Sequence, residues 1–230
     1  MAKHYFLVPF SDKQVAKTLG ARWDPAVGQW YAPTAAVAQR MSDQWPAAPA
    51  LGTASDLLPG EDRAFGGNDL FVDLVPASCW FTNVRSCVDP SSWSMLSRLT
   101  RTRAGHRCEI CGAAASPKEK IHLEAHERWH YDEATRIQSL RRIITLCTPC
   151  HLVTHWGYAR VSGREALAYT HYQKVAGIDV REVDRRVDEA FYLWGERSRH
   201  VWTLDLSIIT AAGLIVLPYQ PAGSGNPTSG

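Results

Sequence analysis

The chain has 230 residues, 45% of them hydrophobic and 21% charged, the balance of a folded globular protein and not of a disordered or fibrous one. Its formal net charge of +2 excludes a strong overall field toward nucleic acid, and its arginines cluster locally instead. No segment has the order of a signal peptide, and no apolar run approaches the roughly 20 residues of a membrane span, so a cytoplasmic protein with no membrane association is expected.

The first unit is expected over residues 1–33. Tyr5 to Val8 reads as a short strand, Ser11 with Gln14 as a capping box for a helix through Leu19, Gly20 as its stop, and Trp30-Tyr31 as the start of a return strand. The segment resembles a small αβ module of unknown biochemical role that accompanies DNA-processing proteins. The resemblance rests on Val8-Pro9-Phe10, Ala16-Lys17, Gly20-Ala21-Arg22-Trp23-Asp24 and Trp30-Tyr31. It implies context, not an activity.

Residues 34–68 are rich in Ala, Pro, Gly and Ser and read mostly as a linker, with one amphipathic patch from Val37 to Trp45. The main domain is expected over 69–218. It opens with a strand from Leu70 to Val75 that Pro76 ends. After the cysteine motifs, Ser162 with Glu165 predicts a helix to Ala176 stopped by Gly177. Asp179 with Glu182 predicts a second helix, whose Val180, Val183, Val187, Phe191 and Trp194 form an apolar stripe. Residues 201–218 read as a β-hairpin broken at Ala211-Ala212-Gly213, and 219–230 as a disordered tail. The fold class is therefore α+β.

Cys108-Glu109-Ile110-Cys111 and Cys147-Thr148-Pro149-Cys150 are two Cys-x-x-Cys knuckles with 35 residues between them. In a reducing compartment such pairs point to metal more than to disulfides, and four thiolates suit a tetrahedral structural Zn²⁺ with no open position for chemistry. Cys79 and Cys87 lack that spacing and read as ordinary buried thiols. A helix starting near Thr148 would put His151 and His155 one turn apart, where two imidazoles can share one ion. Alternation from Ile121 to His126 puts His122, Glu124 and His126 on one strand face. Arg103 and Arg107 precede the first knuckle and Arg141 and Arg142 the second, so both are candidate phosphate contacts.

A histidine-bearing strand followed by a histidine-bearing helix, with knuckles at both ends, resembles the HNH nucleases and their ββα-metal fold over about residues 103–157. The most specific element is Leu146-Cys147-x-x-Cys150-His151-x-x-x-His155. Phe71-Val72-Asp73-Leu74-Val75-Pro76, Cys79-Trp80-Phe81, Asn83-Val84-Arg85 and Leu123-Glu124-Ala125-His126-Glu127-Arg128-Trp129 resemble a bacterial and phage subgroup of HNH-like proteins. The resemblance implies a DNA endonuclease in which His126 is the general base and His151 and His155 hold a catalytic divalent ion (Mg²⁺, Mn²⁺, Ni²⁺ or Zn²⁺). Ala125 stands where many members have a ligating Asp, and Arg142 where they have an Asn. With Ala125 there, His126 is alternatively a ligand and Glu127 or Glu124 the base, while Gln138 or Asp132 is a substitute for the Asn. The second functional class is a non-catalytic zinc-stapled module that binds nucleic acid, and a third, structural reading has the tryptophans and C-terminal helices bind another protein.

Overall fold

The computed structural model describes residues 3–25, 27–48, 58–79, 83–214 and 216–217. The tail expected over 219–230 lies outside them. Among the described residues the fold is mixed α+β, with two three-stranded sheets and nine α-helices, none long and apolar enough to cross a membrane.

The N-terminal unit holds β1 (His4–Phe6), α1 (Lys13–Thr18), β2 (Arg22–Asp24), β3 (Gln29–Ala32) and α2 (Ala35–Ser42), with sheet order β1-β3-β2. Ser11 and Gln14 form no capping box: the Ser11 hydroxyl bonds the Asp12 carboxylate, and Asp12 occupies the cap position. Gly20 follows α1 at φ 92°, a turn that needs glycine. The unit does not end at residue 33. Thr34 caps α2 through Val37 N–H, and Val37, Met41 and Trp45 close one core with Phe6, Ala16 and Trp30. Trp45 Nε1 also donates to Asp12 at 3.0 Å. The apolar patch read as part of a linker is thus the unit's last helix.

The described residues of the expected linker beyond that helix, from Leu58 on, are anchored as well. Leu58 lies in a core, and Glu61 pairs with Arg103, both side chains only 2% exposed. Arg128 donates to the carbonyls of Gly66 and Asp69 and Arg142 to those of Phe65 and Gly67, so two guanidiniums hold the loop by its backbone. A glycine- and proline-rich composition conceals this, because the clamp uses carbonyl oxygens that every residue carries.

The main domain comprises α3 (Val84–Cys87), α4 (Pro90–Arg103), β4 (Leu123–Asp132), β5 (Ile137–Cys147), α5 (Thr148–Thr154), α6 (Trp156–Val161), α7 (Glu165–Ala176), α8 (Val180–Arg197), β6 (Thr203–Asp205) and α9 (Ser207–Ala211). β4 and β5 pair antiparallel from Leu123↔Cys147 to Asp132↔Ile137, with a register shift at Arg128/Trp129. The sheet buries both faces. Trp129, Tyr131, Leu140 and Ile143 pack with α4 and α9, whereas Ile144 and Leu146 join Val153, Trp156, Tyr172, Val183 and Val187 from α5 to α8. Alternation along β4 and β5, reset by the extra residue Arg141 at the register shift, produces this division.

Three local expectations change. Leu70 to Val75 forms no strand, its Asp73 N–H donating instead to Thr154 O at 3.0 Å. Ser162 closes α6 through the carbonyl of Tyr158, leaving Glu165 to accept from Trp156 Nε1 rather than cap α7. The hairpin expected over 201–218 is a short strand and a helix: β6 pairs parallel with the start of β5, and α9 follows. Asp205 accepts from Ser207 N–H at the turn, and the adjacent Ile208 and Ile209 both reach the core from a helix, which a strand's alternation would prevent. The Asp179 cap, which accepts from Glu182 N–H, and the Gly177 stop at φ 65° form as expected.

Candidate metal centres

The first cysteine pair sits in a tight turn after α4, where Gly112 N–H donates to Cys108 O and Gly112 takes φ 74°. The second pair spans the end of β5 and the first turn of α5, with Pro149 in that turn where no amide is needed. The ladder contact Leu123↔Cys147 and the bond from Glu109 N–H to Thr145 O bring the two turns together. All four sulfurs lie within 4.8 Å of one another, Cys111 and Cys147 at 3.5 Å. Tetrahedral Zn–S bonds of about 2.3 Å require sulfurs about 3.8 Å apart, so the cluster fits such an ion with small adjustment. Four thiols this close compete for one negative charge. Hydrogen bonds from Cys147 and Cys150 pull the Cys108 thiol far down, and the same contacts push Cys150 up and Cys147 up to about 12. A cation removes that competition, since every ligand can then be a thiolate.

Further donors surround the sulfurs. The amides of Cys111 and Cys147 point at Cys108, and that of Cys150 at Cys147. Cys150 also has His171 of α7, whose Nε2 lies 3.1 Å from its sulfur. His171 carries no signal in the sequence: it stands in an ordinary helical stretch, 21 residues past its partner, and only the packing of α7 on α5 brings it there.

The second cluster is built from histidines. His126 lies on the α5-facing side of β4, opposite Ile144, while His151 is in α5 and His155 at the break between α5 and α6. Their ligating nitrogens fall within 4.8 Å of one another, and their ring centroids are 4.5 to 5.2 Å apart. His126 is only 5% exposed, and neither of its ring nitrogens has a hydrogen-bond partner among the described residues. Such a buried, unsatisfied group requires a physical reason, and a shared cation supplies one. Burial holds His126 far below the ordinary imidazole range, with His155 and His151 adding to the effect, and lowers His151 and His155 to about 4. All three rings are therefore neutral at physiological pH, the form that binds metal. Glu124, on the same strand face, places Oε2 3.4 Å from His151 Nδ1.

Other candidate residues stand elsewhere. Glu127 is turned to the opposite side of β4, where its buried carboxylate accepts from Val84 N–H at 3.0 Å and secures the start of α3. Arg103 is locked to Glu61 and to Ile143 O. Arg142 is locked to the 65–67 loop and to Glu109, with its side chain only 5% exposed. These two arginines build structure, and of the four chosen in the sequence Arg107 and Arg141 remain exposed. Asp132 accepts amides in the β4–β5 turn, and Gln138 meets Tyr131 at that far end, so neither reaches the histidines. Cys79 and Cys87 are buried thiols, pushed up by burial.

Among known families, residues 3–46 match a domain of unknown function (DUF5710). The match coincides with the N-terminal unit through α2 and Trp45 and stops before both metal clusters. No curated protein matches the chain, and no solved structure does.

Proposed function

We propose that the protein is a metal-dependent endonuclease of the HNH type, hydrolysing DNA phosphodiester bonds on the α5-facing side of the β4–β5 hairpin. The observation that carries this reading is the convergence of His126, His151 and His155 with His126 left otherwise unbonded. A strand pair followed by a helix, with thiol knuckles at both ends, supports the ββα-metal assignment.

The convergence favours His126 as a third ligand over His126 as the base. Neutral imidazoles suit Zn²⁺, Ni²⁺ or Mn²⁺ better than Mg²⁺, and a divalent ion held there offsets charge on a scissile phosphate. Glu124 Oε2, 3.4 Å from Nδ1 of His151, stands where it can orient that ring. With its side chain 42% exposed, the Glu124 carboxylate also stands open to a water from which it can take a proton.

Supercoiled plasmid incubated with protein and Mn²⁺, Ni²⁺, Zn²⁺ or Mg²⁺ tests the reading. Nicking is expected, and His126→Ala and His151→Ala should each lower it by at least about 100-fold while one zinc per chain is retained. No cleavage with any ion, or full cleavage by His126→Ala, sinks it. The second reading, a binding module with a degenerate site, draws support from Arg142, which stands at the family's Asn position and is wholly occupied by the 65–67 loop and Glu109. It predicts salt-sensitive binding without cleavage.

A further inference from the structure

One flank of α4 carries a groove of about 440 Å³ lined by Arg85, Trp93, Ser94, Ser97 and Arg101. Arg101 also borders a second hollow of the same volume, whose wall includes His106 and His122. The two hollows share Arg101 in their linings and, taken together, outline a track. Among the described residues, no carboxylate lines either hollow. Asp89 caps α4 through Ser91 and Ser92, and Glu127 faces inward to the amides of Val84 and Arg85. Arg101 is held by Ser97 Oγ at 2.7 Å, which fixes its guanidinium at the boundary of the hollows. Arg85 and Ser94 are exposed, and the half-buried Trp93 lines the groove. His122 is four residues before His126, about 13 Å along an extended chain.

We infer that this track binds a single-stranded segment of polynucleotide, with Arg85 and Arg101 on successive phosphates and an unpaired base against Trp93. Two cations with no acidic partner among the described residues supply a phosphate site, and an aromatic in the same groove supplies a stacking surface that a duplex, its bases already stacked, cannot use. The inference rests on the nuclease reading only for its purpose, to lead a strand along His122 toward the histidine cluster; binding itself does not depend on cleavage.

Fluorescence anisotropy with a labelled 12-nucleotide DNA strand and with its duplex, in the absence of added divalent ion, tests it on the full chain. Single-strand binding should weaken with salt, and Arg85→Ala with Arg101→Ala should reduce the slope of log affinity against log salt by about 1.4, the loss of two phosphate contacts. Arg85→Ala alone, at an exposed position, should remove about 0.7 and serves where the double variant folds poorly. Trp93→Leu should weaken the single strand by about 5- to 100-fold and leave the duplex unchanged, while Trp93→Phe retains most of the binding. Unchanged salt slopes, or a duplex bound better than its single strand, would overturn the inference. Loss of binding in these variants without plasmid nicking by the parent would leave the groove standing and defeat the nuclease reading. Nicking by the parent with unaltered binding in the variants would do the reverse.

Discussion

Ten consecutive residues, 146–155, contribute to two clusters of opposite character. Cys147 and Cys150 join Cys108 and Cys111 in a set of four thiols, whereas His151 and His155 join His126 in a set of three neutral rings. Four thiolates fill a tetrahedron and leave no place for a reactant; three imidazoles leave one side open. Their settings differ as well. Backbone amides and His171 surround the sulfurs, while the ring nitrogens of His126 have no hydrogen-bond partner among the described residues. A structural centre has its outer donors in place, and a reactive one keeps its unsatisfied atoms for a guest.

The sharpest break of that contrast is Cys108→Ser. The two knuckles join the turn after α4 to the β5–α5 junction, and a structural zinc supplies on the order of 10 kcal/mol to such a fold. The variant should lose one zinc per chain by metal analysis and show no cooperative unfolding transition of the main domain, whereas His151→Ala should keep both. If Cys108→Ser folds with wild-type stability, the thiol cluster is not a staple and the two clusters do not differ in kind.

Much of this contrast is legible in the sequence, and what is hidden has a common cause. The Cys-x-x-Cys spacing and the His151/His155 turn are local, so a few residues suffice to define them. Alternation along β4 likewise places His126 and Glu124 on one face and should have placed Glu127 on the other; the period of a strand already argues against Glu127 as the base. The clamp on residues 61–69, by contrast, is made by Arg103, Arg128 and Arg142 across 40 to 80 positions of chain, and its acceptors are mostly main-chain carbonyls. A cluster of arginines reads the same whether it faces phosphate or is buried against a loop. α9 escaped notice because Ile208 and Ile209 are β-branched neighbours that a strand would also accept, and the partner of β6 because it lies in parallel 66 residues earlier.

His171 offers a finer test of the thiol side. An N–H directed at a metal-bound thiolate lowers its basicity, and loss of such outer partners typically weakens metal binding by about 10- to 100-fold. In His171→Phe, which keeps bulk but removes the donor, zinc should pass to a chromogenic chelator about 10-fold faster, and in the cobalt-loaded protein the thiolate-to-metal band should move. His171→Gln returns an N–H and should recover part of the difference. A variant that only loosened α7 would lower the melting temperature without moving the cobalt band, so an unmoved band with wild-type release sets His171 apart from the centre.

The smallest expected effect lies on the histidine side, and it is a resistance to change. Burial lowers His151 and His155 to about 4 and His126 well below its ordinary value, so the folded protein keeps these rings neutral where an unfolded chain, titrating near 6.5, takes up protons. The sign follows: nothing is lost above about pH 6.5, and the folded state loses stability as pH falls from there toward about 4. Metal binding by the native site follows the native values. Three ordinary imidazoles would lose about 1,000-fold in affinity between pH 7 and pH 5.5, because each would be about nine-tenths protonated. The buried cluster should lose less than about threefold, measured by titrating Ni²⁺ into zinc-loaded protein at the two pH values and subtracting the binding of His151→Ala. A 1,000-fold loss would mean that the three rings open to solvent, and their resemblance to the enclosed thiols would end there.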